Sequence, residues 1–189
     1  MTKITTLAEL SKEIDQYIDR LDQGEKFDLL GVKSILERYT GVDWLNYRPC
    51  EKCNKCQLTK KDYRRMPINL PCLHQKSYDF YLLVWKPNVE TGIHDHPRNG
   101  CLLKVLDGEI HEDRYSTTGE IIKSTDLKKD DIGYMHDKIG YHKIRNPVDE
   151  VAYSLHIYSP IKYIPRVYQL DDLTPACQVD SDNESVTKS

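Results

Sequence analysis

The sequence predicts a mainly β fold, a sandwich or closed barrel with helices ahead of it, and two observations carry that prediction. Helical periodicity is confined to roughly the first forty residues. From Ser77 to about Tyr163 the chain instead breaks into short runs rich in aromatic and aliphatic residues, separated by turn residues at even spacing. With 189 residues the chain is long enough to bury a core without structural disulfides.

The elements follow in order. Leu7, Leu10, Ile14, Tyr17, Ile18 and Leu21 recur at helical spacing, and Thr6 with Glu9 forms a capping box in front of them. Gly24 breaks the pattern. A second helix is expected with Leu29, Leu30, Ile35, Leu36 and Tyr39 on one face, ended near Gly41. Between Val42 and Lys76 periodicity disappears among prolines, lysines and cysteines. Strands are then expected at Tyr78–Trp85, Cys101–Leu106, Glu109–Tyr115, Ile121–Leu127, Asp131–His136, His142–Arg145 and Val151–Tyr158. Asp107-Gly108, Asn146-Pro147 and Ser159-Pro160 punctuate them. After Leu170 the chain turns polar. The division expected is 1–76, helices and a cysteine-rich connecting segment of the same domain; 77–165, the barrel; and 166–189, a polar tail.

Composition removes several function classes. The formal net charge is -3 and the basic cluster from Lys60 to Arg65 is diluted by Asp62, so nucleic acid is not an expected partner. The longest apolar run, Phe80 to Trp85, is too short to span a bilayer. The first residues lack the apolar core of a secretory signal, so a cytoplasmic, reducing setting is expected, where disulfides are rare. A monomer with a small-molecule substrate is the expected state.

The sharpest local signal is Ile93-His94-Asp95-His96-Pro97. Along a strand, residues two apart share a face, so His94 and His96 would present their imidazoles together as a metal clamp. This spacing resembles the cupin family of double-sheet β-barrels (jelly rolls). The family's first motif runs H-x-H, a short gap, Glu, a six-residue gap and Gly. His94, His96 and Gly108 fit it, Cys101 occupies the Glu position, and Asn88 replaces the usual leading glycine. Gly140-Tyr-His142-Lys-Ile-Arg-Asn146 resembles the second motif, with His142 as third ligand. Three neutral imidazoles would leave a bound Fe(II) its full charge and open positions for an anionic sulfur and dioxygen, although imidazole also suits Zn, Ni and Cu.

Longer stretches resemble cysteine dioxygenases. They include Trp85 through Tyr115, Gly140-Tyr-His142, Val151-Ala-Tyr-Ser154-Leu-His156-Ile-Tyr158-Ser159-Pro160, Tyr63-Arg64-Arg65, and Asp43-Trp44-Leu-Asn-Tyr47. The likeness runs from about Leu7 to Pro160. It implies a cupin barrel with N-terminal helices packed outside, and a non-haem Fe(II) thiol dioxygenase turning L-cysteine and O2 into cysteine sulfinic acid. In this reading His94, His96 and His142 hold one Fe(II) per chain. Arg65 binds the substrate carboxylate with its guanidinium fork and Tyr63 lines that pocket. Cys101 is joined to Tyr158 by a thioether, and Tyr158 faces the substrate, backed by His156 and Ser154 with Trp85 beneath. The resemblance also implies a cis Ser159-Pro160 peptide.

Alternatives stand beside these readings. Arg64 adjoins Arg65 and could be the inward residue. Cys101 and Tyr158 could be plain core residues. A related thiol, 3-mercaptopropionate or cysteamine, could be the substrate, and a metal-binding cupin without turnover is the reading from another class. His74, His111 and His136 read as solvated or structural. Cys50, Cys53 and Cys56, with Cys72 or His74 as fourth ligand, could form a structural zinc site, the other reading being a cysteine-rich surface loop. Cys177 reads as a free surface thiol.

Overall fold

The computed structural model describes residues 2–21, 25–49, 63–70 and 77–173. Helix α1 (Leu7–Asp19) starts at the expected capping box, in which Glu9 N–H donates to Thr6 Oγ1 (3.1 Å) and Thr6 N–H donates to Glu9 Oε2 (3.2 Å). Its apolar stripe, Leu7, Leu10 and Ile14, is fully buried. The second helix is shorter than its periodicity suggests. Leu29–Val32 forms a 3-10 turn, α2 spans only Lys33–Glu37, and Leu30 is exposed. The reason is competition for backbone groups. Ile4 N–H donates to Arg38 O (2.9 Å) and Thr40 N–H donates to Ile4 O (2.8 Å), so Tyr39 pairs with Ile4 as a bridge where another helical turn would have been.

Among the described residues ten strands form two five-stranded sheets. They are β1 (Arg64–Ile68), β2 (Asp79–Trp85), β3 (Ile93–His94), β4 (Cys101–Asp107), β5 (Glu109–Tyr115), β6 (Ile121–Lys128), β7 (Ile132–Met135), β8 (Tyr141–Arg145), β9 (Ala152–Tyr158) and β10 (Val167–Tyr168), with a last turn of helix, α3 (Leu170–Leu173). One sheet runs β1-β2-β9-β4-β7, the other β10-β3-β8-β5-β6. Every pairing is antiparallel. The mainly β, double-sheet architecture is the one expected.

Two strands were not legible in sequence. β1 lies in the segment without periodicity. It carries Pro67, which an edge strand tolerates because its free side needs no N–H. β10 has two residues and lies past Tyr163. The sheets therefore reach beyond 77–165 at both ends.

The first sheet is buried on both faces, which explains the nearly continuous apolar runs of β2 and β4. Phe80, Leu82, Val84, Leu102, Leu106, Leu155 and Ile157 pack against the helices. Leu83, Trp85, Leu103, Val105 and Ala152 alternate with them and meet Ile110, Leu127 and Ile144 of the other sheet. Lys104 is the exception on the helix side. Its buried ammonium donates to the carbonyl of Tyr39 (2.6 Å) and lies 3.2 Å from Asp130 Oδ1, so the charge is compensated where the helical segment ends. Between β4 and β5 the Asp107-Gly108 turn needs glycine. Gly108 has φ 78°, and a Cβ there would come within 2.8 Å of Ala152 Cβ. No helix among the described residues is long and apolar enough to cross a membrane.

Candidate metal centre and substrate cavity

Register builds the centre. His94 on β3 and His142 on β8 are direct cross-strand partners. β3 ends at His94, so the period-two argument does not by itself place His96. The intervening Asp95 does. Its carboxylate accepts Tyr163 O–H (2.6 Å), Arg166 N–H (2.7 Å) and Tyr168 O–H (3.1 Å), pinning the bend that turns His96 inward. All three imidazoles are buried, with ring centroids 4.2 to 5.1 Å apart and ligand atoms within 4.8 Å of one another.

The donor set fits a metal ion. His94 Nδ1–H donates to Gly92 O (3.0 Å) and His142 Nδ1–H donates to Glu112 Oε1 (2.7 Å), so each ring presents a bare Nε2. Those two Nε2 atoms face each other at 3.1 Å, and neither nitrogen of buried His96 has a hydrogen-bond partner. Lone pairs converging this way form a donor set suited to a shared cation. Burial lowers the pKa of all three rings, and in His96 and His142 neighbouring histidines add to it, so the rings stay neutral, the form that ligates.

Glu112 had no role in the sequence reading. It sits on β5, two residues before Arg114, and the two share a face: Arg114 Nε–H donates to Glu112 Oε2 (2.9 Å) while Oε1 holds His142. The signal was present in sequence, since Glu112 falls at an inward position of an alternating strand. Only cross-strand register shows that it backs a histidine.

Of the other predicted residues, Tyr63, Arg65, Trp85, His156 and Tyr158 line, with His94, one cavity of about 40 Å³. Ser154, His156 and Tyr158 alternate along β9 and so face the interior. Trp85 Nε1–H donates to Ser154 Oγ (2.8 Å), which lies 2.9 Å from His156 Nε2, and His156 Nδ1 lies 3.3 Å from the Tyr158 hydroxyl. Burial, then the nearby Arg65 charge, depresses the His156 pKa to about 3. Cys101 is the cross-strand partner of Tyr158, and burial pushes its thiol pKa up. The peptide Ser159-Pro160 is cis.

Of the two arginines, Arg65 borders the cavity, whereas Arg64 is registered against Val84 of the helix-facing set. Arg65 Nη1–H donates to Tyr163 O (3.0 Å), and its buried Nε and Nη2 have no hydrogen-bond partner. Tyr63 stacks on Trp85 with centroids 5.0 Å apart and is partly exposed. Cys50, Cys53, Cys56, Cys72, His74 and Cys177 lie outside the described residues. His111 is held by Asp113 and Asp126, and His136 by Asp137.

A two-sheet barrel with three inward histidines is a cupin whose converging imidazoles suit a metal ion. Among solved structures, Bacillus subtilis oxalate decarboxylase superposes with a TM-score of 0.50 at 16% identity, over 65% of this chain and 30% of that chain, a likeness of fold alone. Residues 2–169 match the family model for cysteine dioxygenase type I, and the chain belongs to that family. Cysteine dioxygenase type 1 from Bos taurus and from Homo sapiens are each 29% identical over 167 residues, 84% of this chain and 76% of theirs. The Danio rerio protein of the same name is 26% identical over 168 residues. Membership in this family places the chain among the oxidoreductases that are dioxygenases.

Proposed function

We propose that this protein is an Fe(II)-dependent thiol dioxygenase that converts L-cysteine and O2 to cysteine sulfinic acid. The observation that carries the reading is the Arg65 guanidinium, buried with two free donors on the cavity that also contains His94. A buried cation with an unused hydrogen-bonding edge calls for an anion, and its planar fork matches a carboxylate.

His94, His96 and His142 would hold the iron, each through a neutral nitrogen. When bound, iron supplies the redox chemistry that delivers both atoms of dioxygen to sulfur, so that thiol plus O2 becomes sulfinic acid with atoms balanced. The chain's own groups do the rest. Arg65 pairs with the carboxylate and fixes which end of the substrate lies away from the histidines. Tyr63, stacked on Trp85, lines the carboxylate pocket. Tyr158 keeps its phenol proton, because burial raises its pKa well above the ordinary value, and so acts as a hydrogen-bond donor toward the cavity. Ser154 and neutral His156 orient that hydroxyl from behind. Cys101, the cross-strand partner of Tyr158, would form the thioether, with one hydrogen lost from the thiol and one from the ring and the two protons and two electrons passing to dioxygen.

The test is anaerobic purification with iron, then oxygen uptake with L-cysteine, 3-mercaptopropionate and cysteamine. The expected order places L-cysteine first and cysteamine last, since cysteamine would leave Arg65 unpaired. Arg65→Ala should raise the KM for cysteine about a hundredfold, the loss of a charge-assisted pair. Equal rates on cysteine and cysteamine would overturn the substrate assignment.

A further inference from the structure

Arg65 carries the substrate reading, yet among the described residues nothing acidic holds it. No ion pair to Arg65 is found among the described residues, and its single hydrogen bond is Nη1–H to Tyr163 O. The guanidinium carbon instead lies 3.7 Å from the centre of the Tyr81 ring and 4.5 Å from that of Tyr158. The two rings meet at 78°, so the guanidinium sits in a corner that restrains it from two directions.

Strand register makes that corner. Arg65 on β1 is opposite Leu83 on β2, and Tyr81 is opposite Pro67, which sets Arg65 and Tyr81 diagonally across the pair. On its other side Tyr81 is opposite His156 and Asp79 is opposite Tyr158, so Tyr158 is diagonal to Tyr81 as well. Tyr81 shares the inner face with Leu83 and Trp85 and packs against their cluster. Among the described residues its hydroxyl reaches only Asp79 Oδ2, at 3.5 Å, so the ring rather than the phenol is what the site uses.

We infer that Tyr81 is a positioning residue that sets carboxylate specificity, holding the Arg65 guanidinium by its face so that the Nε and Nη2 edge stays free for the substrate. This rests on the reading of Arg65 as the carboxylate anchor. The physical advantage is specific. An aspartate would fix Arg65 equally well but would occupy its donors and neutralise its charge before substrate arrived. An aromatic face attracts the cation without consuming a single N–H, leaving the Nε and Nη2 edge preorganised for binding.

Steady-state kinetics on the iron-loaded protein test the inference, with wild type, Tyr81→Phe, Tyr81→Leu, Tyr81→Met and Arg65→Ala compared on L-cysteine. Tyr81→Phe keeps the ring and should match wild type. Tyr81→Leu and Tyr81→Met keep apolar bulk without the ring, and each should raise KM about tenfold while kcat changes less than about twofold. The two ringless variants check each other if one folds poorly, and the half-buried position tolerates either. A wild-type KM in a folded ringless variant, or an equal loss in Tyr81→Phe, overturns the role of the ring. Should Arg65→Ala raise KM while the ringless variants do not, only this inference fails. An unchanged KM in Arg65→Ala removes the carboxylate anchor and this inference with it.

Discussion

Glu112 Oε1 accepts a 2.7 Å hydrogen bond from Nδ1 of His142, and both side chains are buried. The metal centre therefore has an anion one bond behind it, although none of its three converging ligands is a carboxylate. Burial pushes the Glu112 pKa up, and Arg114, on the other carboxylate oxygen, opposes that shift.

Glu112→Gln should weaken metal binding about ten- to a hundredfold, the usual cost of disturbing the partner of a ligating histidine. Competition with a chelator of known affinity measures it. Unchanged affinity would mean that the bond orients nothing the metal uses.

His96→Ala and His142→Ala should both lose bound metal, yet their metal-free forms should differ in stability. His96 makes no hydrogen bond, whereas removing His142 leaves a buried Glu112 oxygen unsatisfied. Metal-free His142→Ala should be the less stable variant by about 1–3 kcal/mol. Denaturant unfolding of the two metal-free proteins reads this directly, and equal midpoints would contradict it.

Protein that has turned over cysteine with oxygen should carry the Cys101–Tyr158 bond, with a mass lower by about two hydrogens and the two peptides joined in a digest. Cys101→Ser should show neither change and should remain active at a lower rate, since Tyr158 would be less firmly placed. Peptides that always separate would remove the crosslink.

His156 makes the metal-free protein acid-sensitive. Its pKa is about 3 when folded, against about 6.5 for an ordinary imidazole, so the unfolded chain binds the extra proton between those values. Stability is complete above about pH 6.5 and falls as pH drops toward 3. From about pH 7.5 to about pH 5 this group should account for about 2 kcal/mol. His156→Gln should lose less stability over that interval than wild type. Parallel losses would show that the imidazole takes up its proton as readily in the folded protein as in the unfolded chain.

Sequence by itself determined much of this protein, because local physics decides it. Alternation fixed most strand positions in the barrel, the Thr6–Glu9 box fixed where α1 begins, and His94-x-His96 pointed to a metal clamp to which the family resemblance added His142. Alternation also set Ser154, His156 and Tyr158 on one face of β9, since every second residue of a strand points the same way.

Tertiary structure decided what depends on partners distant in the chain. The second helix stopped short because Ile4 took the backbone groups of Arg38 and Thr40. β1 is a strand because β2 pairs with it, despite Pro67 and the absence of any pattern. Which arginine faces the cavity, which ring holds it and which carboxylate stands behind His142 are all consequences of register between strands. A shift of one residue in any pairing would turn those side chains to the other face, and no local propensity sets that registration.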